Sequence, residues 1–257
     1  MLLKDRLKSV PSGLTANPQE VEKFNALAEE WWKPDGKFKV VHAFNAARVG
    51  YLVKHLSPTP GLGVRGEPQR LPLSGLRIVD VGCGAGLVSE PLARAGAEVL
   101  AIDAAERNIA IARHHAEASG VDVTYRHALP EDLDRSHDAK YDVVISLEVV
   151  EHVEDLAAFL AELARLVAPG GTLVIGTLNR TAKSYALGII GAEYVLRLLP
   201  RGTHEWSKFV MPDEIDQSLR RHGLRRSSAV GVTMNPITWT WSITRDMSVN
   251  YLISFAK

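Results

Sequence analysis

Apolar residues recur at two spacings along this chain, and the changes of spacing divide it into segments. Between residues 19 and 56, Val21, Phe24, Leu27 and Ala28 fall three and four positions apart, the period of one helix face. Trp31, Trp32 and Pro34-Asp-Gly36 interrupt that pattern, and a second helical stretch runs through Phe44, Arg48 and Leu52. Residues 57–75 hold Pro58, Pro60, Pro68, Pro72 and four glycines, which predicts a surface loop.

After the loop, short apolar runs alternate with amphipathic stretches. The pattern predicts strands at Arg77–Val81, Glu98–Ile102, Val121–Arg126, Tyr141–Ser146 and Thr172–Thr177. It predicts helices at Leu87–Ala95 and Ala105–Ser119, and a third through Leu156, Phe159, Leu160, Leu163 and Val167, with Pro169-Gly-Gly171 as its stop signal. This rhythm argues for an α/β fold: a parallel sheet with helices on both faces. Beyond Asn179 the rhythm breaks. Residues 184–199 are strongly apolar, Pro212–His222 reads as a helix, and Arg225–Thr233 and Val249–Ala256 read as closing strands.

Composition narrows the class. Of 257 residues 46% are hydrophobic and 23% charged, enough apolar material for a full core. Thirty basic residues balance thirty acidic ones, so no global field gathers nucleic acid. A single cysteine, Cys83, rules out an intramolecular disulfide and fits a reducing compartment. Residues 1–15 lack the apolar core of a secretory signal. No stretch reaches the ~18 uncharged apolar residues of a membrane span. The expectation is a cytoplasmic protein, with peripheral contact at the inner face of the cytoplasmic membrane.

Asp80-Val-Gly82-Cys-Gly84-Ala-Gly86 follows the first strand and precedes a helix. Glycine accepts the positive φ values of such a turn and lets a ligand lie against bare backbone. Asp103 ends the second strand, where a carboxylate can accept both hydroxyl hydrogens of a ribose. A tight structural turn beside a capping aspartate is the competing reading. Strand, glycine loop, helix, strand and terminal acid in order favour a nucleoside site. Cys83 has no neighbouring activator and reads as a small packing residue.

Glu148, Glu151 and His152 fall where the fourth strand gives way to a helix. Residues three and four apart share a helix face, so two carboxylates and an imidazole can converge as a hard divalent-metal site. Solvated acids favoured by the helix dipole are the competing reading.

With these motifs in view, the chain resembles class I methyltransferases and, more narrowly, the UbiG-like ubiquinone-biosynthesis O-methyltransferases. The likeness covers nearly everything from Glu22 onward. It is carried by Glu30-Trp-Trp32, Arg48-Val-Gly-Tyr51, Glu148-Val-Val-Glu-His152, Thr177-Leu-Asn-Arg180, Gly191-Ala-Glu-Tyr194, Gly202-Thr-His204, Asn235-Pro-Ile-Thr238 and Val249-Asn-Tyr251. The resemblance implies a Rossmann-like, seven-stranded, mostly parallel sheet with an antiparallel last strand. It implies S-adenosylmethionine as donor, with Arg48, Asp80, Gly82, Gly84, Gly86, Asp103 and Leu147 around it. Arg48 would face the methionine carboxylate. It also implies Mg²⁺ or Zn²⁺ on Glu148, Glu151 and His152, with these three as the catalytic set.

The acceptor it implies is a polyprenyl catechol or quinol, of the 2-polyprenyl-6-hydroxyphenol and 3-demethylubiquinol types. A small catechol or a carbon nucleophile is the alternative. Asn179, Arg180, Tyr185 and His204 are the candidate acceptor contacts. The apolar segment 184–199 suits either a membrane surface, with Arg201, His204 and Lys208 towards headgroups, or a buried lid. Association with other proteins of the same pathway is a further expectation.

The expected organisation is a tail at 1–18 and a single methyltransferase domain at 19–257. Within it lie N-terminal helices (19–56), the Pro/Gly-rich loop (57–75), the cofactor-binding core (76–180), an apolar insertion or lid (181–211), and a closing helix and strands (212–257). Two features depart from the family pattern. Ala128-Leu-Pro-Glu131 stands where many class I enzymes carry an acid for adenine, and loop 57–75 is long.

Overall fold

The computed structural model describes residues 15–33, 36, 39–57, 70–134, 140–187, 205–235 and 238–257. Helix α1 (Pro18–Leu27) starts where Asn17 accepts from the amides of Gln19 and Glu20, with Pro18 in the first turn, where its missing N–H costs nothing. A 3-10 turn (Ala28–Glu30) delivers Trp31 and Trp32, and α2 (Lys39–Leu56) follows. The chain then enters β1 (Arg77–Val81), α3 (Ser89–Arg94), β2 (Glu98–Asp103), α4 (Glu106–Ser119), β3 (Thr124–His127), β4 (Tyr141–Leu147), α5 (Leu156–Leu166) and β5 (Val167–Leu178). A single helical turn, α6 (Ala182–Ser184), leaves the sheet, and α7 (Pro212–Arg220), β6 (Arg225–Asn235), β7 (Thr240–Thr244) and β8 (Asn250–Ala256) complete it.

The sheet order is β3-β2-β1-β4-β5-β8-β6-β7. Strands β1 to β5 pair in parallel, and β8 slots antiparallel between β5 and β6. This is the expected Rossmann-like arrangement with its antiparallel last strand. The count is eight, one more than expected. The segment carrying Trp241 extends the edge as β7, antiparallel to β6.

Strand alternation builds the two faces. Ile78 enters the core layer that also holds Leu52, Leu92 and Ile109, whereas Val79 enters the layer with Phe159, Leu163 and Leu219. On α5, Phe159, Leu160, Leu163 and Leu166 are buried, and each such side chain contributes about 1.5–3 kcal/mol.

Two expectations change. Pro169-Gly-Gly171 does not stop a helix: β5 already begins at Val167, which pairs with Tyr141, and a register shift follows before Val143 meets Thr172. The described end of the 57–75 loop is not all surface, because its turn plants Leu73 in the core and bonds its amide to the Ala95 carbonyl at 2.9 Å. Residues 58–69 and 188–204 lie outside the described residues, and with them His204, Arg201 and most of the apolar segment. Among the described residues no helix is long and apolar enough to cross a membrane.

Candidate active site

The carboxyl ends of β1, β2 and β4 open onto one cavity of about 710 Å³, roofed by α1, α2 and the Trp31 turn. Its lining includes Arg48, Asp80, Gly82, Gly84, Asp103, Leu147, Glu148, Glu151 and His152. Nine of the expected site residues, contributed by four separate stretches of chain, therefore share one space. Ligands of open α/β sheets bind at this topological position.

The glycine loop is held from two sides. Gly84 donates its amide to Asp103 Oδ2 at 2.8 Å, and the other oxygen of Asp103 accepts from the Ala105 amide at 2.8 Å and from Asn108 Nδ2 at 3.3 Å. The capping and ligand readings of Asp103 thus meet in one carboxylate. Burial pushes its pKa up, and those three donors oppose the shift. Gly82 has φ 79°, and a Cβ there would stand 2.2 Å from Val149 Cγ2. Gly86 has φ 88°, and a Cβ would stand 2.1 Å from the Tyr125 hydroxyl. Gly86 is not part of the cavity wall; it lets the loop turn into α3 over Tyr125.

The Trp pair braces the loop from outside. Trp31 packs against Gly84 and donates to Asn108 Oδ1 at 3.1 Å, while Trp32 donates to the Ala85 carbonyl at 2.9 Å and stacks on His115. The sequence showed this pair only as an interruption between helices and part of a family motif. Its role follows from how the N-terminal helices fold back over the sheet, which no local spacing encodes. Asp80 accepts from Ser89 Oγ at 2.6 Å, and burial lifts its pKa to about 6. Cys83 is buried with its thiol pKa pushed up, so it stays an unionised packing group.

Arg48 is buried, lies 4.0 Å from the centre of the Phe44 ring and also bonds Asn45. Its Nη1 meets Glu148 Oε1 at 2.5 Å. Glu148 has φ 57°, a left-handed conformation uncommon for a residue with a Cβ and a mark of local strain. Its amide donates to the Gly176 carbonyl at 2.8 Å, which holds the turn in place. Glu151 is buried; Oε2 accepts from Thr177 Oγ1 at 2.7 Å, and Oε1 has no hydrogen-bond partner. Burial, and then the neighbouring Glu148 carboxylate, push its pKa well above the usual carboxylate range. His152 Nδ1 faces Glu20 Oε2 at 2.8 Å, and Phe24 meets the ring edge-on.

The expected three-ligand metal set is therefore not gathered. Glu148 turns to Arg48, Glu151 to Thr177 and His152 to Glu20. Among the described residues no three His, Cys, Asp or Glu side chains are grouped to hold an ion. What remains at this point is Glu151 Oε1, buried without a hydrogen-bond partner beside the Glu148 carboxylate that raises its pKa.

Three of the expected acceptor contacts fall among the described residues, and each has a partner within the protein. Asn179 is buried and donates to the Met247 carbonyl at 2.9 Å, Arg180 pairs with Glu214, and Tyr185 is exposed and packs against Trp206. None of the three lines the cavity, and the Thr181 side chain caps α6. Phe24, Phe44, Leu187 and Trp241 line it instead.

The sheet order, with a glycine loop gripped by the acid of the next strand, places the chain among class I S-adenosylmethionine-dependent methyltransferases. Residues 79–175 match the family model described as "Methyltransferase domain". The solved magnesium protoporphyrin IX methyltransferase of Synechocystis PCC 6803, with bound SAH, is similar in fold: TM-score 0.62 over 92% of this chain and 94% of that one, at 21% identity. More narrowly, the chain belongs to the ubiquinone biosynthesis O-methyltransferase family. It is 48% identical to the Cereibacter sphaeroides (strain ATCC 17025 / ATH 2.4.3) member over 95% of this chain and 97% of that one. The Paramagnetospirillum magneticum member is also 48% identical, over 95% and 96%.

Proposed function

We propose that this enzyme moves the methyl group of S-adenosylmethionine to a phenolic oxygen of a polyprenyl catechol or quinol, of the 2-polyprenyl-6-hydroxyphenol and 3-demethylubiquinol types. The observation that carries this reading is that Asp103 and the glycine loop share one cavity with Glu148, Glu151, His152 and many apolar side chains. About 710 Å³ lies within the usual range of small-molecule sites.

In this reading Asp103 accepts the ribose hydroxyl hydrogens while continuing to hold Gly84, and Arg48 faces the donor's carboxylate. Ala128 and Leu129 line the cavity where the family's adenine acid is missing, so packing there replaces a charged contact. Sulfonium is already a good leaving group, so the remaining requirements are alignment of oxygen, methyl and sulfur, and removal of the phenol proton. Leu147 and the walls from Phe24 and Phe44 exclude water from that line. His152, at the cavity wall, is the group suited to take the proton.

A divalent ion is part of the proposal, with Glu148 and Glu151 as its holders. Such an ion lowers the pKa of catechol oxygens. The exposed Tyr185, Leu187, Trp206 and Met211 support a peripheral membrane contact through which a polyprenyl tail is supplied.

The test is transfer of labelled methyl to a short-chain prenyl catechol, measured with and without EDTA and with Mg²⁺ or Zn²⁺ restored. Product that disappears with chelation and returns with metal supports the full reading. Product indifferent to chelation removes the metal and keeps the acceptor. Donor binding without product on any prenyl catechol overturns the acceptor.

A further inference from the structure

Glu20 lies on α1, in a segment whose sequence offers only a helical period. Its carboxylate nevertheless reaches across 132 positions to His152, with Oε2 at 2.8 Å from Nδ1. Both side chains are largely sheltered, at 18% and 16% exposure, and Phe24, one helical turn beyond Glu20, sets its ring perpendicular to the imidazole at 5.2 Å. Lys208 Nζ stands 3.8 Å from the other Glu20 oxygen, and Lys23 Nζ stands 3.8 Å from Oε2.

We propose that Glu20 is a positioning residue for methyl transfer, which fixes His152 as the tautomer protonated at Nδ1 with its lone pair on Nε2. A carboxylate is an acceptor only, so the Nδ1 beside it must carry the hydrogen. The acceptor nitrogen of the ring is then Nε2. Carboxylate partners commonly orient functional histidines in this way, and losing one costs about 10–100-fold in activity or metal affinity. The inference rests on the reading above that His152 serves the acceptor end of the cavity.

A plain tether is the competing role, since α1 is also tied down by Asn17, which donates to Glu154 Oε2 at 3.0 Å, and by Thr15, whose hydroxyl donates to Glu131 at 2.7 Å. These ties supply the control. Asn17→Ala loosens α1, its cap on the Glu20 amide included, but leaves the Glu20 carboxylate in place, whereas Glu20→Ala removes the Nδ1 acceptor. Glu20→Gln keeps an acceptor oxygen and serves as the conservative rescue.

Three measurements decide it: donor affinity by calorimetry, kcat and KM with the prenyl catechol, and the imidazole ¹⁵N spectrum of the metal-free protein, with the His152 signals assigned by their loss in His152→Gln. The expected result is a kcat about 10–100-fold lower in Glu20→Ala with donor affinity unchanged, and a loss of the Nδ1-protonated signature. Glu20→Gln should recover most of the rate and the signature, and Asn17→Ala should behave as wild type. An unchanged His152 spectrum in Glu20→Ala overturns the proposal, as does an equal fall in kcat in Asn17→Ala. Full activity in Glu20→Ala alongside loss in His152→Ala overturns this inference alone. Full activity in His152→Ala overturns the reading beneath it as well.

Discussion

Arg48 and Glu148, a hundred positions apart, form a 2.5 Å ion pair in which the guanidinium is buried and the carboxylate is about a third exposed. The pair links α2 to the turn after β4, so the cation expected for the donor also holds that turn. Removing one member of such a pair leaves the other charge unmatched, at a cost of about 3 kcal/mol. Arg48→Met should therefore lower stability to urea as well as donor affinity. Adding Glu148→Gln should return part of the stability and none of the affinity. Strictly additive losses in the double variant would show that the pair carries no coupling.

Asp103 holds its own loop as well as facing the ligand space, so its removal has two consequences. Asp103→Ala deprives the Gly84 and Ala105 amides of an acceptor, and hydrogen bonds to a charged group contribute about 1.5–3 kcal/mol each. Both the melting temperature of the free protein and the affinity for S-adenosylhomocysteine should fall, the latter by tenfold or more. An unaffected melting temperature removes the bracing role. Unaffected affinity in calorimetry removes the ribose assignment.

Much of this was legible from spacing. The strand and helix alternation from Arg77 to Thr177, the loop at Gly82 to Gly86 and the acid at Asp103 are local patterns, and the sheet uses them where they were expected. The extra strand β7 was not legible, because Thr240-Trp-Ser-Ile-Thr244 is short and half exposed and becomes a strand only by pairing with β6. Glu148, Glu151 and His152 did arrive in one cavity, but spacing sets which residues are near and not which way each side chain turns. Arg48, Thr177 and Glu20 come from α2, β5 and α1, and each takes one member of the cluster. Asn179 and Arg180 likewise leave a strand's carboxyl end, where their side chains meet the Met247 carbonyl and Glu214, partners that no local spacing encodes.

Gly82 and Val149 couple the donor loop to the turn after β4. A methyl group on Gly82 would overlap Val149 Cγ2, and its φ of 79° disfavours any side chain. Gly82→Ala should lose about 2–4 kcal/mol from overpacking and backbone strain together. Val149→Ala in the same chain should restore the overpacking share and leave about 1 kcal/mol of strain. Denaturant titrations of the two single variants and the double variant test this. Independence of the two substitutions would mean the loop moves aside and the contact is not a constraint.

Asp80 makes stability depend on pH in an unusual direction. Its folded pKa of about 6 lies above the ordinary 3.8, chiefly because burial disfavours the charge. Between those values the folded state holds a proton that the unfolded chain has released, so stability falls as pH rises through this window. The favourable contribution is complete below about pH 4 and lost above pH 6, and a gap of this size corresponds to about 3 kcal/mol. Asp80→Asn removes the titration and keeps an oxygen to accept from Ser89. Measured without donor, the stability of Asp80→Asn relative to wild type should increase from pH 4 to pH 8. The other titrating groups are common to both proteins and cancel in the difference. A difference that stays flat across that range would mean Asp80 titrates as an ordinary aspartate and that the buried charge is neutralised by Arg48.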